Sequence, residues 1–276
     1  MKGLPARPLA ALALAWIAAA VPAPATAAFE VAVAPSRIQL SGSSGERIGR
    51  SLEIQNVGAA ATEVALRTID WRYAEDGGIT YHDELLPGSC RPWVTLERRS
   101  IRIEARGKRT LRFQIDVPAG AGRHECRFML AVEGVEPAFR AALGGGGGAN
   151  LALPITGRIA VAVYVDIGGA APRLEMTGVK VGTDAAGRRT AALTVRNTGD
   201  AHGRLGGSLD ATDATGRAFD WVPEGTPVMP GQTRDLALVP RGGEDGRPVA
   251  APVFPVRTRG AVDWEDGSFT VEAEFR

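Results

Sequence analysis

The chain has little of what metal-binding and membrane-spanning proteins need. Its 276 residues include two cysteines and three histidines, and aromatic residues make up 6%. The histidines lie far apart and none is near a Cys-x-x-Cys pair, which excludes the usual spacings of a zinc site. No apolar run reaches the roughly 18 residues of a transmembrane helix. The formal net charge of +1 excludes a strong global preference for nucleic acid. We therefore expect no metal, no cofactor and no nucleic-acid partner.

Catalytic motifs are also missing. The sequence contains no Gly-x-Ser-x-Gly, no His-Glu-x-x-His, no Walker loop and no dinucleotide fingerprint. The glycine run at 144–148 is not followed by the Lys-Ser or Lys-Thr of a phosphate-binding loop. Asp70 with Asp83 or Glu84 is the best candidate for an acid–base pair, but solvated carboxylates at strand ends are the simpler interpretation. We expect no enzymatic activity and no small-molecule substrate.

The N-terminus has the pattern of an export signal. Lys2 and Arg7 flank the start of an apolar run over residues 9–21, and the small–x–small sequence Ala-Thr-Ala follows at 25–27. The run is too short to cross a bilayer comfortably, so a retained membrane anchor is the weaker alternative. We predict a signal peptide over residues 1–27 and an exported mature chain.

The two cysteines are predicted to pair. An even number of cysteines in an exported chain favours a disulfide, because the compartment is oxidising. A bridge between Cys90 and Cys126 would stabilise the fold by roughly 3–4 kcal/mol in the loop-entropy model. The alternative is two buried free thiols.

Alternating apolar residues indicate strands throughout the first half of the chain. Residues 52–55, 63–69, 100–104 and 110–115 are short alternating or β-branched runs, as in antiparallel sheets with one buried face. Turn sequences such as Asn56-Val57-Gly58 separate these runs. Strands at this spacing are typical of a β-sandwich.

The second half repeats this pattern. The run 190–196 leads into Asn197-Thr198-Gly199 as residues 52–55 lead into Asn56, and we predict further strands at 204–211, 233–239 and 268–275. A short linker, 168–172, separates the halves, and 241–252 is predicted to be a surface loop. We therefore predict an N-terminal domain over residues 28–167 and a C-terminal domain over residues 172–276.

Several segments of the first half occur in a characteristic order. They are VAPSRIQL (33–40), LEIQN (52–56), PWVTLE (92–97), RGKRTLRF (106–113), HECRFML (124–130) and LALPI (151–155), the last followed by Arg158. In this order and spacing they resemble the PapD-like family of periplasmic chaperones for pilus assembly. The resemblance is strong over residues 29–166 and weak over 172–276.

The resemblance implies a fold and a function. It implies two immunoglobulin-like β-sandwich domains in an L-shaped arrangement and a chaperone in the periplasm. Such a chaperone binds pilus or fimbrial subunits by donor-strand complementation, in which it lends a strand to an incomplete subunit, and delivers them for assembly at the outer membrane. Pilus subunits are therefore the expected partners. Whether an outer-membrane usher also takes part is left open.

The resemblance also assigns roles to individual residues. Arg37 and Arg158 match the basic residues that hold the subunit's C-terminal carboxylate. The donor strand would place four apolar side chains in the subunit groove, those of Ala149, Leu151, Leu153 and Ile155.

Some features depart from the family pattern. The second basic anchor is usually lysine, Pro154 interrupts the donor strand, and a Cys90–Cys126 bridge is not a common feature. The second half has Asn197-Thr198-Gly199 where the family has Asn-Pro-Thr. A structural or adhesive surface protein built of tandem immunoglobulin-like domains is the main alternative, because it would share the export signal, the strands and the bridge.

Overall fold

The computed structural model describes residues 29–74, 77–135, 139–143, 151–155, 157–184, 186–242, 247 and 249–276, with only the backbone described for 139–143 and 151–155. The predicted signal peptide, Ala149 and the glycine run lie outside these residues. Over the described part, the chain is almost entirely β-structure, with one short 3-10 turn at Arg91–Trp93. No described helix is long and apolar enough to cross a membrane.

The described residues form nineteen strands, which are numbered in chain order. They are β1 (Val31–Ala34), β2 (Arg37–Gly42), β3 (Arg47–Asn56), β4 (Thr62–Tyr73), β5 (Ile79–His82), β6 (Val94–Leu96), β7 (Ser100–Ile103), β8 (Lys108–Asp116), β9 (His124–Gly134), β10 (Phe139–Leu143), β11 (Leu151–Ile155), β12 (Arg158–Ile167), β13 (Leu174–Thr183), β14 (Arg189–Asn197), β15 (Leu209–Thr212), β16 (Ala218–Pro223), β17 (Thr233–Arg241), β18 (Val256–Trp264) and β19 (Gly267–Phe275).

The first half of the chain forms a two-layered sandwich. One layer has the strand order β1-β3-β8-β6, and the other has the order β2-β12-β9-β4-β5, with β7 also paired to β4. The alternation predicted from the sequence explains the packing: in β8, Leu111, Phe113 and Ile115 are buried and the residues between them are not. One apolar core, from Ile38 to Ile167, lies between the layers.

The second half forms another sandwich with its own core, from Leu174 to Phe275. Its strands follow the continuous order β13-β14-β17-β16-β15-β18-β19. Strand β17 belongs to both layers, because Thr233–Ala237 pairs with β14 and Leu238–Arg241 pairs with β16. The prediction of two immunoglobulin-like β-sandwiches is therefore confirmed. The predicted linker 168–172 falls between the two cores.

One predicted strand begins later than expected. The sequence suggested a strand over 204–211, but β15 begins at Leu209. Gly207 adopts a φ of +84°, which glycine reaches without strain and which interrupts an extended strand. Residues 204–208 therefore belong to the connection that precedes β15. The side chain of Arg204 reaches Tyr164 of the first sandwich from this connection.

The two asparagine turns have the same structure in both sandwiches. Asn56 and Asn197 are buried, and each donates its side-chain amide to the carbonyl four residues on, at 2.7 and 2.8 Å. Each side-chain oxygen accepts the backbone N–H two residues on, at 2.9 Å. The sequence parallel between the halves thus reflects one hydrogen-bonded corner that occurs twice.

Candidate binding site

The predicted disulfide is present. Cys90 and Cys126 are bonded, with Cα atoms 5.5 Å apart, and both are buried. Cys90 immediately precedes the 3-10 turn, and Cys126 lies on β9, which is between β12 and β4 in its layer. The bridge therefore fastens the loop before Trp93 to the middle of the sheet.

The outer face of the β2-β12-β9-β4 layer carries both predicted anchor arginines. Arg37 lies directly opposite Ala162 in the parallel β2–β12 pair. Alternate residues of a strand share a face, so Arg158 on β12 is on the same face as Ala162 and Arg37. Arg158 is four residues before Ala162, however, which is about 13 Å along the strand at about 3.3 Å per residue. The register therefore places the two arginines on one face but not side by side.

Arg158 is engaged within its own sandwich. Its Nε lies 2.5 Å from Glu133, the residue directly opposite on β9. Glu133 also accepts two hydrogen bonds from Arg67, at 2.9 and 3.0 Å, and Arg67 in turn contacts Asp83 at 2.5 Å. The hydrogen bonds from Arg67, with the nearby charge of Arg158, hold the pKa of Glu133 below its usual range. The charge of Arg158 is thus already neutralised by an internal carboxylate.

Arg37 is in a different situation. It lines a small cavity of about 40 Å³ between the two sandwiches, together with Gln39, Pro172, His202, Gly203, Arg204 and Glu265. Among the described residues its guanidinium has no hydrogen bond or ion pair. Arg204 reaches the same cavity from the second sandwich, and it donates to the carbonyl of Gly225 and to the hydroxyl of Tyr164. Sequence reasoning identified Arg37 but missed Arg204, because the two residues approach only across the junction.

A buried, hydrogen-bonded pair of side chains joins the sandwiches beside this cavity. Glu125 Oε2 accepts the backbone N–H of His202 at 2.9 Å and also contacts His202 Nδ1. The two side chains are 1% and 3% exposed. The imidazole of His202 stacks on the ring of Tyr164, with centroids 3.8 Å apart. Glu125 was noticed in the sequence as part of a matched segment, whereas no local pattern pointed to His202.

Asp200 reinforces the same junction. Its carboxylate accepts hydrogen bonds from Arg123 Nε at 2.5 Å and from the backbone N–H of Ala171 at 2.8 Å. Its backbone carbonyl accepts the N–H of Glu125 at 3.0 Å. The hydrogen bond from Arg123 lowers the pKa of Asp200 below its usual range. One residue of the second sandwich therefore holds both the linker and the start of β9.

Asp166 adds a second buried carboxylate. It lies directly opposite Glu125 in the β9–β12 pair and is 7% exposed. Burial raises its pKa to about 6, and the amide of Gln39, which donates to Oδ2 at 3.3 Å, opposes that rise. Its other oxygen has no hydrogen-bond partner in the described part of the chain. Asp166 therefore lies next to Gln39, which lines the cavity, but does not itself line it.

The predicted donor segment forms one strand of a two-stranded ribbon. β11 pairs with β10 in antiparallel register, with Leu153 opposite Ala141 and Ile155 opposite Phe139. The ribbon continues the β9–β12 hairpin, since Gly134 N–H donates to the carbonyl of Gly157. Among the described strands, β11 has a partner on one edge only, and the first four residues of β12 pair with β9 but not with β2. A strand edge therefore runs from β11 into the start of β12.

Comparison with known proteins gives structural neighbours only. No family model and no curated protein matches the chain. Among solved structures, the chain is similar to several chaperones. The YadV chaperone and the CupB2 chaperone of Pseudomonas aeruginosa each share 12% sequence identity with it at a TM-score of 0.47, over 89% of this chain and 100% of theirs. The DraB chaperone of E. coli shares 14% at a TM-score of 0.43, over 90% of this chain and 97% of its own. A likeness at this level carries no argument about function.

Proposed function

We propose that the mature chain is a periplasmic chaperone that captures pilus or fimbrial subunits by lending them a strand. The observation that carries the proposal is the open edge along β11 and the start of β12, which lies beside a cleft containing the unpaired Arg37. An open edge offers main-chain donors and acceptors to another strand, and strand addition to such an edge is a general mode of recognition.

Strand addition also requires side chains that fit the groove of the subunit, and the sequence of β11 has a suitable pattern. Successive residues of a strand point to opposite faces, so Leu151, Leu153 and Ile155 share one face as strand positions, and Ala149 would extend the row. Apolar residues at alternate positions match the groove of an incomplete sandwich. Register matters in such a pairing, because a slip of one residue turns the whole row to the other face.

A fixed point in the cleft would set this register. Arg37 presents a free guanidinium that can bind a subunit's terminal carboxylate, a charge-assisted contact worth roughly 1.5–3 kcal/mol. Arg158, the second anchor expected from the sequence, would have to leave Glu133 before it could contribute. In this proposal the sandwiches act by binding alone, and the captured subunit is then delivered for assembly at the outer membrane.

The experiment is co-expression of the chain with the exported proteins encoded beside it, followed by purification from the periplasm. We expect a one-to-one complex with a pilus subunit. Leu153→Asp should abolish capture, because it places a charge in the apolar groove of the subunit. Ala152→Asp is the matched control, since residue 152 lies on the opposite face of β11, and it should retain most of the complex.

Two results would contradict the proposal. Polymers of the purified chain alone would indicate a structural surface protein instead. Equal complex yields from Leu153→Asp and Ala152→Asp would show that the face of β11 carrying Leu153 does not enter the subunit.

A further inference from the structure

A gap in the strand pairing opens one flank of the first sandwich. On the edge of β4 that faces away from β9, β7 pairs with Thr62–Ala65 and β5 pairs with Asp70–Tyr73. Between these two pairings, the N–H of Leu66 donates to the carbonyl of Arg99 at 2.8 Å. Alternate residues of a strand direct their main-chain groups to the same edge, so the N–H and carbonyl of Thr68 face the gap without a paired strand. A main-chain donor and acceptor are therefore available to a ligand there.

A cavity of about 350 Å³, the flank cavity, occupies this gap. Its walls come from β4, from β6 and from residues before and after β6. Three arginines line it, Arg67, Arg91 and Arg99, and no described acidic residue does. Thr68 and Thr95 add two hydroxyl groups to the lining. Small-molecule sites usually have volumes of about 300–1,000 Å³, so the flank cavity is large enough for a small ligand.

The side chain of Arg91 is held in one orientation and keeps a free donor. It is 18% exposed, and its Nη1 donates to the carbonyls of Asp83 and Glu84 at 2.9 and 3.1 Å. Its Nε donates to the hydroxyl of Thr68 at 3.4 Å, so that hydroxyl keeps its own hydrogen for another acceptor. The Nη2 of Arg91 has no acceptor in the part of the chain that the structure describes. The neighbours of Arg91 thus orient its guanidinium without using all of its donors.

The three arginines differ in how far their charge is neutralised. Arg67 is bound by two carboxylates, and Asp70 lies 3.5 Å from Arg91. The guanidinium of Arg99 has no hydrogen bond or ion pair among the described residues. The flank cavity therefore has one uncompensated positive charge, together with free donors on Arg91 and Thr68. Such a set of donors favours a ligand that carries an oxyanion.

We propose that the flank cavity binds a sugar phosphate, as a ligand and not as a substrate. A phosphate group offers three strong acceptor oxygens, enough to accept from Arg91 and Thr68 on one wall and from Arg99 on the other. The free carbonyl of Thr68 accepts a sugar hydroxyl, and Val94 and Leu96, which also line the cavity, contact the ring carbons. The proposal does not rest on the chaperone function, because no residue of the flank cavity lies on β11 or lines the cleft cavity.

The test is titration calorimetry of the mature protein with glucose 1-phosphate, glucose, glucuronate and inorganic phosphate. Glucose 1-phosphate should bind at least about tenfold more tightly than each of the others. Arg99→Gln should weaken its binding by roughly 10–100-fold, and Thr68→Val by roughly 3–10-fold. Arg102→Gln is the matched control, because Arg102 is an exposed arginine of β7 outside the cavity, and it should change the affinity by less than about twofold.

Further arms identify the source of the sugar phosphate and exclude trivial failures. Vesicles that contain lipid A present the same group on a membrane, so binding to them that depends on Arg99, without binding of free glucose 1-phosphate, would identify a lipid headgroup. Arg99→Lys keeps the charge and should retain part of the affinity, and thermal melting of each variant checks its folding. The inference would be overturned by binding of neither probe, by an unchanged affinity in folded Arg99→Gln, or by glucuronate, glucose or inorganic phosphate binding as tightly as glucose 1-phosphate.

Discussion

Replacing Asp166 by asparagine should stabilise the protein at neutral pH. The carboxyl is 7% exposed, and one of its oxygens has no partner in the described part of the chain. Burial is the main reason that its pKa is raised to about 6, and the charge of Glu125 on the neighbouring strand adds to the rise. Asparagine keeps the shape of the side chain and an acceptor for Gln39, and it removes the charge.

The pKa gives the size and the sign of the effect. A rise from 3.8 to about 6 corresponds to about 3 kcal/mol at about 1.4 kcal/mol per unit of pKa. Solvent near the junction screens the charge, so we expect about 1–2 kcal/mol. The folded state holds this proton more tightly than the unfolded state, so the wild type loses stability as the pH rises from about 4 through about 6. The advantage of Asp166→Asn should therefore be absent below about pH 4 and complete above about pH 7.

Urea denaturation of the oxidised protein at several pH values measures this difference through the midpoint and slope of unfolding. Asp116→Asn is a suitable control, because Asp116 is exposed and the hydrogen bond from Arg47 lowers its pKa. Its substitution should show the opposite dependence on pH. A gain from Asp166→Asn that is constant with pH, or that grows as the pH falls, would refute the reasoning.

Three further predictions concern the framework. Thiol labelling of the denatured, unreduced protein should find no free cysteine, and Cys90→Ser should destabilise it by about 3–4 kcal/mol in urea unfolding. Asn56→Ala and Asn197→Ala should each cost about 2–3 kcal/mol, because buried backbone groups lose their partners; a loss below about 0.5 kcal/mol would contradict the shared corner. NMR relaxation should show one common tumbling time for the two sandwiches, and Asp200→Ala should allow them to tumble more independently; separate tumbling in the wild type would contradict a fixed junction.

Much of the fold follows from local sequence patterns. Alternation at Leu111, Phe113 and Ile115 predicts one buried face whatever the partner strand is, and the parallel between Asn56 and Asn197 reflects hydrogen bonds within a few residues of each asparagine. The disulfide could be predicted because only one pairing exists once the chain is exported.

The site was less predictable because it depends on non-local register. The offset between Arg37 and Arg158 is set by the parallel pairing of β2 with β12, strands that are far apart in the sequence. Arg204 belongs to a segment that was predicted as a strand, and His202 lies just before that segment. The roles of both residues arise only where the second sandwich meets the first. Local alternation carries no information about either arrangement.

The sharing of β17 between the two layers of the second sandwich affects which part of the chain can pair with an added strand. Because β17 pairs with β14 and then with β16, one unbroken series of hydrogen bonds runs around the second sandwich from β13 to β19. The two end strands, β13 and β19, lie beside each other without pairing, so each partly shields the free edge of the other from a stray strand. In a crowded compartment, self-association through added strands should therefore involve the first sandwich. The second sandwich can then keep the chain soluble while the open strand edges of the first sandwich bind a specific partner.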